Sequence, residues 1–469
     1  MIFNPTISMK KNIRIGVLGV LVIAGGYFTQ YAWRALPIIS GFGAKAMCTC
    51  VFLNGRTAED VKQQELGAGL QSLGSFQVNA TDSSVIGSVF GLAKRKAIFR
   101  RGLGCTLISE LPEADVRRQR VALYEYPTAD PDTVAWPMGD RLSDSLLPAF
   151  DRGAMAQAIN FAFSEDDPEQ PVNTRAVAVV YRGQLIAERY APGFDRRSRH
   201  AGWSMTKSIN SAAIGVLVKQ GKLRVQEPAS VPEWKQDERH LITLEHLLHA
   251  SSGLRWEEDY GGPSGATTML FQKGDMGAYA ASRPLEHEPN TVFEYSSGTS
   301  NILAWLVRQK VGDADYYQFY YRELLAKIGA RSFVLEPDAS GTYVGSSYSW
   351  ATARDWARFG LLYLYDGVVN GEQILPEGWV EYSVTPAPAA RRGEYGAQWW
   401  LNAGARGKSE NRTYPKLPSD SFQAEGFEGQ FVFVIPSKHL VVVRLGLSQV
   451  GELDMNEFVA RVIAALPGN

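Results

Sequence analysis

The chain has 469 residues, 45% of them hydrophobic, and its 48 Lys and Arg stand against 49 Asp and Glu, a formal net charge of -1. That balance excludes the basic surface of a nucleic-acid binder, and 21% charged with 11% aromatic residues excludes a disordered chain. Three cysteines cannot make a disulfide scaffold and six histidines leave little material for a multi-metal site, so no metal centre is expected.

No Asp or Glu precedes Glu59. Lys10, Lys11 and Arg14 lead into an apolar run, Ile15 to Phe28, which continues through Tyr31 to Trp33 and Arg34. Basic residues ahead of an apolar stretch keep the N-terminus in the cytoplasm and export the chain beyond it. Ile15 to Trp33 matches the roughly 20 residues that cross a bilayer. The expected layout is a cytoplasmic basic segment over 1–12 and a signal anchor or signal peptide over 13–34. Ala44-Lys45-Ala46 has the small-residue pattern of a cleavage site but lies far beyond the apolar run. These features place the protein in the inner membrane of a bacterium, its body in the periplasm, or free there if the segment is cleaved. In that oxidising compartment a disulfide from Cys105 to Cys48 or Cys50 is expected, with Cys50–Cys105 as the leading pair.

Residues 35–150 read as a small, loop-rich extension with little chemistry. From residue 151 the texture changes. Ala176–Tyr181 and Leu185–Tyr190 are β-rich runs across Arg182-Gly183-Gln184, a hairpin signal. A helix is predicted from Ser204, with Ile209, Ala212, Ala213, Val216 and Leu217 on one face and a stop at Gly221. Phe431–Pro436 and Leu440–Gly446 predict a second hairpin across Ser437-Lys438-His439, and residues 456–466 a closing amphipathic helix. Strands at both ends with helices between predict an α+β fold, one antiparallel sheet assembled from the two chain ends.

The chemistry concentrates at Ser204-Met205-Thr206-Lys207. Residues i and i+3 share a helix face, so the Lys207 amine can meet the Ser204 hydroxyl. A serine needs a base, and lysine serves when burial lowers its pKa. Tyr295, followed by Ser296 and Ser297 ahead of an apolar helix, is a candidate proton relay, its phenolate favoured beside Lys207. Ala424-Glu425-Gly426-Phe427-Glu428-Gly429 enters the C-terminal hairpin, where glycines let backbone N–H groups approach a substrate carbonyl.

Together these motifs resemble the serine β-lactamase and penicillin-binding-protein superfamily, in its class C and esterase branch, over about residues 150–469. Ser204-Met205-Thr206-Lys207 looks like its first motif. Tyr295-Ser296-Ser297 is similar to its Tyr-x-Asn motif, and Ala424 to Gly429 occupies the place of its Lys-Thr-Gly strand. Leu244–Leu248, Ser251–Leu254 and Ser349–Gly360 support the match. Ser297 replaces the Asn, and no Lys or His stands in the third motif; both departures resemble the 6-aminohexanoate-dimer hydrolase subgroup. The resemblance implies a serine hydrolase acting on an ester or small linear amide. Ser204 is the implied nucleophile, with Lys207 and Tyr295 moving its proton. The backbones of Ser204 and Phe427 form the implied oxyanion hole, with Gly426 beside the substrate. Ser297 is expected to hold Lys207 or the substrate, or to cap its helix. Residues 255–290, with Trp256, Glu257, Glu258, Asp259 and Tyr260, are expected to wall the cleft, where Trp256 and Tyr260 meet the substrate. No cofactor is required. A β-lactamase or D-amino-acid peptidase, and a membrane-tethered sensor without turnover, are the competing readings. The partners expected are a small-molecule substrate and the membrane; oligomeric state leaves no mark on the sequence.

Overall fold

In a computed structural model, residues 5–143, 147–405 and 411–467 are described, with backbone alone for 5–23 and 28. The expected 1–12 segment and the apolar run to 23 therefore lie outside the described side chains.

A six-stranded antiparallel sheet organises the body. Its strands run Trp400–Leu401, Phe422–Gly426, Gln430–Ile435, Leu440–Gly446, then β5 (Thr174–Tyr181) and β6 (Gln184–Tyr190), so the two chain ends meet at the sheet centre. The first predicted hairpin closes through a two-residue turn, with Tyr181 opposite Gln184 and both Arg182 and Gly183 at positive φ. That turn matches the right-handed twist of the flanking strands. The second closes over Pro436–Lys438, with His439 in the left-handed region.

Both faces of β5 are buried, with period two. Val177, Val179 and Tyr181 pack with Phe433 and Val442 beneath the helices Arg152–Ala162 and Met455–Ala464. Ala176, Ala178 and Val180 face the larger core, which contains the helices Ala353–Leu364 and Thr206–Lys219. The second of these is the helix predicted from Ser204. It begins with a 3-10 turn over Trp203–Met205, and from Thr206 to Leu217 every residue is buried.

Residues 35–150 depart from the loop-rich expectation. Strands β1 (Gly74–Asn79), β2 (Ser84–Val89), β3 (Leu92–Arg100) and β4 (Gly104–Ile108) form an antiparallel sheet in that order. It packs on α1 (Pro5–Cys48), one continuous helix whose C-terminal part, from Ile38 to Cys48, is largely buried. At Gly87 a Cβ would lie 2.3 Å from the Ser40 carbonyl oxygen, so the helix rests directly on the strand backbone.

The disulfide joins Cys48, not Cys50, to Cys105 and staples the end of α1 to β4; Cys50 is buried and free. Burial pushes the Cys50 thiol up to about 12. Lys45 pairs with fully buried Glu336, which also accepts bonds from Thr49 Oγ1, the Cys105 N–H and Trp350 Nε1. A buried carboxylate survives where such donors surround it. Cleavage at Ala46 would remove Lys45 from this cluster and Ala44 from the core.

Candidate active site

The serine-bearing segment enters its helix under constraint. Trp203, just before Ser204, sits at φ +45°, a backbone region that bulky residues rarely occupy. Its ring is stacked on Phe42 of α1 at 6.0 Å and met edge-on by Phe427 at 5.7 Å. Its indole N–H donates to Glu428 at 3.2 Å. Aromatic packing from two distant segments holds the turn that presents Ser204.

Lys207, one helical turn on, is 2% exposed. Its Nζ donates to Ser204 Oγ at 2.9 Å, to Ser297 Oγ at 3.0 Å and to the Ser346 carbonyl at 3.1 Å. Burial lowers its pKa to about 8, against a partial opposing pull from Glu258. Near neutral pH a fraction of Lys207 is therefore uncharged and able to accept a proton.

Tyr295 is stacked on Trp400 at 5.0 Å with Tyr395 edge-on at 5.8 Å, and its phenol interacts with the Ser204 hydroxyl. Lys207 Nζ lies over its ring, 4.7 Å from the centroid. Burial, with Tyr395 and Glu258 nearby, raises the Tyr295 pKa well above the ordinary phenol value. Burial thus disfavours the expected phenolate and leaves the resting group a neutral phenol.

Ser297 is the first residue of the helix Ser297–Val311, whose N-cap is Ser296. Freed from capping, its hydroxyl receives Lys207 and donates to Glu258, while its N–H donates to Glu258 at 2.8 Å. Trp256 Nε1 and the Tyr260 hydroxyl add bonds to the same carboxylate, at 2.6 and 2.8 Å. Trp256 is buried behind Gly298, where a Cβ would lie 2.6 Å from its ring. Sequence reasoning placed Glu258 in the cleft wall without a role. Its signal was the alternation Trp256, Glu258, Tyr260, which puts three polar tips on one side of an extended segment.

A cleft of about 580 Å³ opens in front of Ser204. Tyr260, Tyr295, Trp400, Gly426 and Phe427 line it; Ser297 and Trp256 stand behind this wall and reach the cleft through other residues. The strand end approaches so closely that a Cβ on Gly426 would lie 2.3 Å from the Gly202 carbonyl oxygen, which accounts for glycine there. Glu425, Glu428 and Glu452 contribute carboxyl groups to the cleft lining, with Arg444 as a cation. Burial, reinforced by Glu452, raises Glu425 to about 7. Ile38, Phe42, Ala68, Gly69 and Gln71 also line the cleft, so the N-terminal extension is part of the site.

A family model described as Beta-lactamase matches residues 162–462. The chain is 26% identical over 296 residues to a 6-aminohexanoate-dimer hydrolase of Paenarthrobacter ureafaciens, covering 58% of this chain and 72% of that one. Among solved structures, one described as a 6-aminohexanoate-dimer hydrolase from Bacillus anthracis superposes with a TM-score of 0.54 at 23% identity, over 63% of this chain and 81% of that one. A family VIII carboxylesterase gives 0.52 at 14% identity, over 68% and 98%. The fold of the two-ended sheet, the Ser-x-x-Lys turn and the family match lead to one conclusion: the chain belongs to the beta-lactamase family and is a β-lactamase-related serine hydrolase.

Proposed function

We propose that Ser204 is the nucleophile of an exported hydrolase that cleaves an ester or small linear amide through an acyl-enzyme. The observation that carries this reading is the 2.9 Å bond between Lys207 and Ser204, made by a lysine whose pKa burial has brought to about 8. At pH 7.5 roughly a quarter of such a lysine is neutral. Neutral Lys207 takes the Ser204 proton as the Oγ–carbonyl carbon bond forms. The Tyr295 phenol donates to the leaving oxygen or nitrogen as the acyl bond breaks, and is refilled from Lys207. Backbone N–H groups of Ser204 and Phe427 hold the oxyanion, a placement supported by the close approach of Gly426 to Gly202. Water then attacks, its hydroxide going to the acyl carbon and its proton back to Ser204. These residues complete the cycle without an added cofactor.

Ala424 and Glu425 stand in the strand where related lactamases carry a cation for the substrate carboxylate, so the site favours substrates without one. The similarity to a 6-aminohexanoate-dimer hydrolase supports a linear amide or ester over a lactam. The apolar segment over 13–34 is read as a retained anchor of a bacterial inner membrane, with the body in the periplasm. Two features support this: a disulfide that needs an oxidising compartment, and an α1 that continues unbroken into the core. The family match and the enclosed cleft in front of Ser204 favour a small-molecule substrate.

A fluorophosphonate probe is expected to label the wild type, to leave Ser204→Ala unlabelled and to label Lys207→Ala at least tenfold more slowly. Equal labelling of wild type and Ser204→Ala would refute the nucleophile. p-Nitrophenyl esters should be turned over and a chromogenic cephalosporin should not.

A further inference from the structure

The cleft and the apolar N-terminal segment share a helix. Ile38 and Phe42 of α1 form part of the cleft wall, and Tyr31, Ile38 and Phe42 fall at i, i+7 and i+11 on one helix face. Tyr31 is held over the cleft loop, since a Cβ on Gly262 would lie 2.6 Å from its hydroxyl. Gln272 Nε2 donates to the Arg34 carbonyl at 3.3 Å, tying the helix Gly265–Gln272, which carries the cleft residues Thr267 and Phe271, to the same turn of α1. Tyr27, Tyr31 and Trp33 are exposed, as an aromatic belt at a membrane interface requires. At about 1.5 Å per residue, Ile38 lies roughly 8 Å along the helix from Trp33. A headgroup layer is roughly 5–8 Å deep on each side of the hydrocarbon core. With Trp33 at the outer edge of the hydrocarbon, as the anchor reading has it, the cleft wall begins at the depth of the lipid headgroups.

The rim of the cleft matches that position. Leu70, Leu73, Tyr260, Phe427 and Val450 are all exposed large apolar residues. Tyr260 and Phe427 stack at 5.9 Å on the cleft wall, and Leu70 and Val450 neighbour the lining residues Gly69, Gln71 and Gln449. The carboxylates Glu425, Glu428 and Glu452 line the cleft. Exposed apolar residues clustered at a cavity mouth mark an interaction surface, and the continuity of α1 with the apolar segment fits a lipid bilayer as its partner.

We propose that this rim docks on the outer face of the bilayer that holds the anchor, and that the cleft takes an amphiphilic acyl ester or amide directly from the lipid phase. The inference rests on the serine-hydrolase reading of the same cleft. In it, the substrate's acyl chain passes over Leu70, Leu73 and Val450 while its carbonyl reaches Ser204.

The test uses the full chain reconstituted in phosphatidylcholine vesicles and two fluorophosphonates, one short-chained and soluble, one carrying a hexadecyl chain in the bilayer. Wild type should react at least tenfold faster with the hexadecyl probe. Leu70→Ser/Leu73→Ser and Val450→Ser should lose most of that preference while their rates with the short probe stay within about twofold, which also reports an intact fold. An unchanged preference in both variants, or no preference in wild type, with the short probe still labelling Ser204, overturns the docking proposal and leaves the hydrolase reading standing. Labelling by neither probe overturns both.

Discussion

The Glu258 carboxylate accepts both the backbone N–H and the hydroxyl of Ser297, and that hydroxyl in turn accepts a bond from Lys207 Nζ. A negative charge thus stands one hydroxyl away from the lysine that serves Ser204. It opposes the effect of burial and keeps the Lys207 pKa near 8.

Neutralising that charge is expected to shift the pH profile. Lys207 works in its neutral form, so activity rises with pH through its pKa. In Glu258→Gln the amine loses the group that favours its charged form, its pKa falls below 8, and the acid limb of kcat/KM for a p-nitrophenyl ester moves to lower pH. Glu258→Ala leaves the donors of Trp256, Tyr260 and Ser297 without their acceptor and should lower kcat by about 10- to 100-fold. A limb that stays in place in Glu258→Gln would contradict the coupling.

Glu425 predicts a substrate-charge effect that depends on pH. Its pKa of about 7 means that it gains charge between pH 6 and 8.5. Over that range hydrolysis of an ester with a carboxylate on its acyl chain should fall about tenfold relative to a neutral ester, a like-charge cost of roughly 1–2 kcal/mol. Glu425→Gln should flatten the ratio. Paired kinetics with the two esters at both pH values measures it.

The disulfide predicts an asymmetry among the cysteines. Cys48 and Cys105 are 57 residues apart, and a loop of that size stabilises by about 4 kcal/mol in the chain-entropy account. Cys48→Ser/Cys105→Ser should lower stability by that order, seen as a fall in the urea midpoint. Cys50→Ser, at a small buried site without a bridge, should cost no more than about 1 kcal/mol.

The Lys45–Glu336 pair predicts that the extension and the catalytic body unfold together. Glu336→Ala leaves a buried lysine uncompensated, which costs about 3–5 kcal/mol. Thermal unfolding of the full chain should then shift as a single transition. A transition confined to the β1–β4 sheet would show that the two parts are separable.

Local chemistry in the sequence carried much of this far. The hairpins could be read because Arg182-Gly183 and Ser437–His439 are turn signals between alternating apolar runs, and a reversal is decided within a few residues. The Ser204–Lys207 pair was legible because a helical turn alone places i and i+3 together. Tyr295 and the Ala424–Gly429 strand were placed by their resemblance to a known motif order.

Tertiary structure decided the rest, because it depends on segments distant in the chain that no local period relates. Cys48 and Cys50 are equivalent by spacing, and only the fit of α1 onto β4 selects Cys48. Ser296 and Ser297 are both candidate caps, and the approach of Glu258 leaves the first to cap and the second to bond Lys207. The -1 balance conceals a similar division: residues 35–469 hold 44 basic and 49 acidic groups, and three of those carboxylates line the cleft that also holds Ser204. The extension read as loops became a wall of the site once α1 ran through it to the cleft. Sequence determined which groups can do chemistry here; packing determined which of them share a charge, a bond or a surface.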